Sequence, residues 1–208
     1  MIELLRTKGP TASGTKEILA LADAPRGSFY FYFPDGKNQL VAEALGRHAG
    51  ATLEVMLGAL QDRSIPIAGR IQGFVEAVTD ALVRDDYRLG CGIGATVLEA
   101  SATSPALRQA TESAFASWTL TLVEHLVEEG IGADRATVLA DAVIAGLEGA
   151  TMMARARRDP APLQHVATTL GALVAAAVDQ AVATADGGVQ VPAPRGRPKP
   201  RQNRRSAT

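Results

Sequence analysis

Cysteine occurs once in this chain of 208 residues, as Cys91. A lone thiol excludes an intramolecular disulfide and any metal site built from clustered cysteines, and it suits a reducing compartment. Aromatic residues are scarce too, at one Trp, three Tyr and five Phe. The core must therefore be filled mainly by Ala, Leu and Val, a composition that favours closely packed helices. The three histidines, His48, His125 and His165, share no metal-ligand spacing, so neither a metal nor another cofactor is expected. A nucleophile paired with a base is missing as well, which argues against an all-α enzyme. Without a leader pattern or a long uncharged apolar run, the chain is read as soluble and cytoplasmic, with no membrane partner.

What aromatic content there is, is concentrated. Five of the nine aromatic residues stand together as Phe29-Tyr30-Phe31-Tyr32-Phe33. Strict alternation of Phe and Tyr could mark a half-buried strand, but no second run of β-branched or aromatic residues exists for it to pair with. On a helix, Phe29 and Phe33 are i,i+4 neighbours able to face a core, while Arg26 and Tyr30 form a second such pair facing outward. Pro25 suits a first turn and Pro34 biases Phe33 out of the α region, so a short helix is expected from about Pro25 to Tyr32. Upstream, Ser13 to Ala22 reads as another short helix, with Ser13 as its cap and Ile18, Leu19 and Ala22 on its apolar face. Two short helices joined at Asp23-Ala24 are the pattern of a helix-turn-helix.

At these residues the chain resembles the TetR family of bacterial transcriptional regulators. The words Gly-Thr-Lys-Glu-Ile-Leu, Ala-Pro-Arg-Gly-Ser-Phe-Tyr and Phe-Pro-Asp-Gly-Lys-Asn-Gln-Leu, together with Leu89-Gly90-Cys91, most resemble its LmrA/YxaF-like branch. The resemblance implies an all-α fold with an N-terminal helix-turn-helix domain over residues 1–45. A larger helical ligand-binding and dimerisation domain would follow over 46–185, and a disordered basic tail over 186–208. Residues 1–9 match only the last turns of the family's first helix. The native start is therefore expected upstream, with part of the small domain's core left uncovered here.

Charge is unevenly spread. Residues 1–50 carry six Lys or Arg against five Asp or Glu, residues 51–191 nine against seventeen, and residues 192–208 six against none. Any nucleic-acid contact thus belongs at the ends of the chain. Residues 37–60 and 65–84 read as amphipathic helices, and three more are expected from Pro105, from Ala133 or Asp134, and from Pro160 or Pro162. Gly90-Cys91-Gly92-Ile93-Gly94 invites a phosphate-loop reading, but it lacks the preceding strand and the Gly-Lys-Ser/Thr ending. Glycines permitting a tight turn and close helix approach are the alternative.

The last two helices carry apolar residues at 3-4-3-4 spacing: Leu139, Val143, Gly146, Ala150 and Met153, then Leu163, Val166, Leu170, Leu173 and Ala177. These seams suggest a two-fold four-helix interface between copies, with Leu139, Val143, Leu163, Val166, Leu170 and Leu173 in it; a seam buried within one chain has the same spacing. A homodimer would set two recognition helices about 34–36 Å apart on double-stranded DNA carrying a near-palindromic operator. Arg26 is the candidate for reading guanine, and Gly27 lets the backbone close to the DNA. Ser13, Thr15, Ser28, Tyr30, Tyr32 and Lys37 are candidates for the DNA surface, mostly at phosphates. Arg195 and Arg197 lie in Arg-Gly-Arg-Pro, which resembles the core of an AT-hook; a basic tail adding non-specific attraction is the other reading. A small apolar effector would occupy the larger domain, with Phe74, Cys91, Phe115, Trp118, His125 and Met152 as candidate lining.

Overall fold

The computed structural model describes residues 1–187, and Arg195 and Arg197 lie outside the described residues. The described chain is all helical: α1 (Ile2–Ala12), α2 (Thr15–Leu21), α3 (Arg26–Tyr32), α4 (Lys37–Leu60), α5 (Ile67–Arg84), α6 (Gly92–Ala100), α7 (Pro105–Glu128), α8 (Ala133–Arg157) and α9 (Ala161–Gly187). The aromatic run is helical as expected, with Phe29 buried and Phe33 against it at a ring separation of 5.6 Å. Between α2 and α3 the chain reverses at Asp23, whose φ of 48° is left-handed, a conformation that Asp tolerates better than most residues.

Helix ends follow local chemistry. Ser104 caps α7 by accepting the Leu107 N–H, and Pro105 begins the helix where its missing donor costs nothing. Ser13 does not cap α2, contrary to expectation. Gly14 holds the cap position, and the Ser13 hydroxyl is buried and donates to the Gly9 carbonyl at 2.6 Å. The hydroxyl therefore seals the kink in α1 instead.

That kink is where α1 meets the rest of the molecule. Gly9 has φ 75° inside the helix, and the Glu99 carboxylate of α6 covers it and accepts the Thr11 N–H at 2.9 Å. A Cβ at position 9 would stand 2.1 Å from a Glu99 oxygen. Gly9→Ala is therefore expected to destabilise the fold by about 1–2 kcal/mol from the left-handed backbone alone, with displacement of Glu99 added to it. Urea unfolding of both proteins checks this.

The body is built on α4, which packs against α5 and α7, while α8 packs on α7 and α9 and α5 lies along α9. Its core contains Met56, Ile71, Phe74, Leu122, Val143 and Leu163, all with no more than traces of exposure, and is rich in Ala and Leu as the composition requires. One buried cation staples it: Arg70 donates to the Leu60 and Ile65 carbonyls at 3.0 and 2.9 Å and pairs with Glu129. The guanidinium thus ties the ends of α4, α5 and α7 together with its polarity satisfied.

Candidate nucleic-acid interface and ligand cavity

Because Phe29 and Phe33 turn inward, the opposite side of α3 is presented to solvent. Arg26 and Gly27 are exposed at its start, and Tyr30, Phe31 and Tyr32 are 68, 79 and 67% exposed. Three large aromatic rings left in water on a seven-residue helix are costly unless something covers them. Phe31 is the residue that sequence reasoning missed. Its signal was present, since a position two residues from each inward Phe must face away on a helix. Leu21 at the end of α2 is exposed beside this surface.

The remaining candidates divide. Thr15 and Lys37 are half-buried at the starts of α2 and α4. Ser28 is half-buried and donates to the Pro25 carbonyl at 2.6 Å, which closes the first turn of α3 and leaves its oxygen as an acceptor. Ser13 is withdrawn from this surface: a fully buried hydroxyl bonded to Gly9 has no path to a phosphate. Behind α2 and α3, Met1, Ile18, Phe29, Phe33 and Leu40 border an open groove of about 380 Å³.

In the body, a cavity of about 230 Å³ lies between α1, α4, α5, α7 and α8. Of the candidate lining residues, Phe74, Cys91 and Trp118 border it; Trp118 is fixed by donating its Nε1–H to the Ala49 carbonyl at 3.0 Å. Phe115 does not line it but packs edge-on against Trp118 at 5.6 Å, and His125 turns its Nδ1 to the Thr121 carbonyl at 2.8 Å. Met152 is also corrected, since it faces outward from α8 and is 58% exposed. One helical position separates it from Thr151, which does line the cavity.

The polar lining, Arg6, His48 and Glu148, was missed because each looks like an ordinary surface residue in its own segment. Arg6 and Gly90 exchange two hydrogen bonds, the Gly90 N–H to the Arg6 carbonyl at 2.8 Å and the Arg6 Nε–H to the Gly90 carbonyl at 3.0 Å. This couples the cavity wall to α1. His48 Nε2 accepts the Gly92 N–H at 3.4 Å, so the imidazole is neutral, and burial followed by the Arg6 charge pushes its pKa down to about 4. Burial also raises the Cys91 thiol, as does the neighbouring Glu148, so the thiol is protonated and unreactive.

The depressed His48 value makes stability pH-dependent. The unfolded chain takes up a proton near pH 6.5 and the folded chain only near 4, so this contribution is full above about 6.5 and is lost as pH falls toward 4. Urea unfolding should show a loss of about 2–3 kcal/mol between pH 7 and pH 4.5, much reduced in His48→Gln, which keeps an acceptor for Gly92 without titrating.

The seam expected between copies is instead closed within the chain. Leu139, Val143, Leu163 and Leu170 are buried, and Val166 and Leu170 press on Gly146 so closely that a Cβ there would meet them at 3.2 and 3.3 Å. Spacing draws a stripe on a helix but does not say which neighbour covers it, and here α9 packs on both α5 and α8, and α8 on both α7 and α9. Leu173 alone of the six is left 45% exposed. A second stripe emerges on the outer side of α8, where Val138, Ala145, Gly149 and Met152 are exposed and nothing lies within 4 Å of a Cβ at Gly149. Both helices are long and apolar enough to cross a membrane by hydropathy, yet only 28% of the α9 window is buried.

Comparison with known proteins places these features. Residues 2–44 match the family described as bacterial regulatory proteins, tetR family, and residues 67–169 match the LmrA/YxaF-like transcriptional regulator C-terminal domain. A helix-turn-helix transcriptional regulator of Mycobacterium tuberculosis is 33% identical over 171 residues, covering 78% of this chain and 84% of its own length. The regulator YxaF of Bacillus subtilis is 28% identical over 171 residues, covering 82% of this chain and 89% of its own. Among solved structures, a regulatory protein TetR from Rhodobacter sphaeroides superposes with a TM-score of 0.74 at 27% identity, covering 82% of this chain and 92% of that one.

Proposed function

Because this chain belongs to the TetR family of transcriptional regulators, in its LmrA/YxaF-like branch, and is therefore a DNA-binding regulator, we propose that it acts as a homodimeric repressor released by a small apolar ligand. In this reading residues 1–45 form the DNA-binding domain and residues 46–185 the ligand-binding and dimerisation domain. The observation that carries it is the connection between the two surfaces. Cavity and recognition helix lie in different parts of the chain, and the Arg6–Gly90 hydrogen bonds run from the cavity wall into α1.

Arg26 reads base edges in the major groove, Tyr30 and Phe31 fill it, and Lys37 and Tyr32 engage phosphate on either side. A dimer bound across an operator occludes the promoter. A ligand releases it only if it binds more tightly to a form whose two heads are wrongly spaced, and a cavity wall shared with α1 supplies that difference. Apolar outer faces on α8 and α9 are the surface through which two copies would meet, replacing the inward seam. A protein of this kind works inside the cell, and the apolar surface of α9 is then a subunit contact.

Lys37→Ala tests the phosphate side of this reading. Affinity should fall for all DNA sequences alike, and the slope of log affinity against log salt should drop by about one per half-site. An unchanged salt slope in anisotropy titrations would remove Lys37 from the interface.

A further inference from the structure

The effector cavity holds one carboxyl group, and no cation among the described residues pairs with it. Glu148 projects from α8 into the lining, and the ion pairs among the described residues all lie elsewhere. Gly94 makes room for its carboxyl, since a Cβ there would stand 2.8 Å from Oε2. The neighbouring group is the Cys91 thiol, a weak donor, and burial raises the Glu148 pKa because the ionised form is poorly solvated. Phe74 and Trp118 line the same cavity, and aromatic rings of this kind attract cations.

Taking the effector reading above as its premise, we infer that the cavity selects a compact hydrophobic amine, its ammonium paired with Glu148 and its apolar body against Phe74 and Trp118. The ammonium supplies the charge and the strong donors that the weak Cys91 thiol does not, and pairing restores the ionised carboxylate. A carboxylate ligand would bring a second negative charge to this end of the cavity. Arg6 does not reverse that preference, because it is half-exposed at the α1 end with its Nε–H held by the Gly90 carbonyl. Size is limited as well: about 230 Å³ is below the usual range for drug-sized ligands, so a single-ring skeleton with a short chain fits.

Trp118 is the single tryptophan, so its fluorescence reports on this cavity alone. Titrations of the full chain with phenylpropylamine, phenylpropanol and phenylpropanoate hold the skeleton fixed and vary the head group. The amine should bind roughly 10- to 100-fold more tightly than the alcohol, as expected for a hydrogen bond to a charged partner, and the acid most weakly. In Glu148→Gln the ratio of amine to alcohol affinity should fall toward one. The wild-type series decides the matter even if that variant misfolds. An alcohol or acid that binds as tightly as the amine, a ratio unchanged in Glu148→Gln, or no response of Trp118 to any probe overturns the inference. DNA binding by the probe-free protein is measured in parallel: if it persists while the amine shows no preference, only the ligand class fails, whereas its absence counts against the regulator reading itself.

Discussion

Replacing Arg26 by Ala is expected to weaken operator binding by about 1–3 kcal/mol and to relax base preference at one position in each half-site. The expectation follows from placement. Arg26 is exposed at the first turn of α3, the end of the proposed recognition helix that would approach base edges, and no hydrogen bond or ion pair within the described residues holds it. A guanidinium donates two parallel hydrogen bonds to guanine O6 and N7, so truncation removes both affinity and discrimination. Lys37→Ala differs in kind, because a phosphate contact carries no base information. Anisotropy titrations against the operator and its single-base variants separate the two, and an Arg26→Ala protein with wild-type affinity and base preference would remove α3 from the reading role.

If two copies meet through the outer α8 face as proposed, Met152→Asp should convert the dimer to monomer, at a cost of several kcal/mol for an unpaired carboxylate placed in an apolar contact. Met152 stands in the outer α8 stripe with Val138, Ala145 and Gly149, and it is exposed in the single chain, so the substitution leaves the monomer core intact. Leu170→Asp provides the contrast. Leu170 is buried against Gly146, so a charge there unfolds the domain instead of separating two folded copies. Sedimentation with circular dichroism distinguishes these results. A folded Met152→Asp protein that still sediments as a dimer would move the interface elsewhere.

The head of the molecule was legible in the sequence because its constraints are local. Pro25, Asp23 and Pro34 bound the α3 segment, and the i,i+4 relation of Phe29 and Phe33 fixes which side is inward. The body was legible as helices but not as contacts. The apolar spacing of Leu139, Val143, Leu163 and Leu170 gives one stripe per helix but not its partner, because periodicity does not encode which neighbour covers a stripe, and these four are buried within the single chain. Met152 and Thr151 show the same limit at single-residue scale: one step around α8 is about 100°, enough to exchange cavity for solvent. Arg6, His48 and Glu148 lie on three helices far apart in sequence, so nothing local marks them as one site. Ser13 misled for a different reason, since Ser just before a helix is a usual cap, and here the kink at Gly9 offers its hydroxyl a nearer acceptor.

Selection from random double-stranded DNA with the purified full chain tests the central claim most directly. Two α3 helices related by a dimer axis predict enrichment of an inverted repeat whose half-sites are centred about one helical turn apart, with a guanine in each half-site whose preference is lost in Arg26→Ala. Enrichment of an unrepeated sequence, or no enrichment above non-specific binding, would contradict a dimer that reads DNA through these two helices.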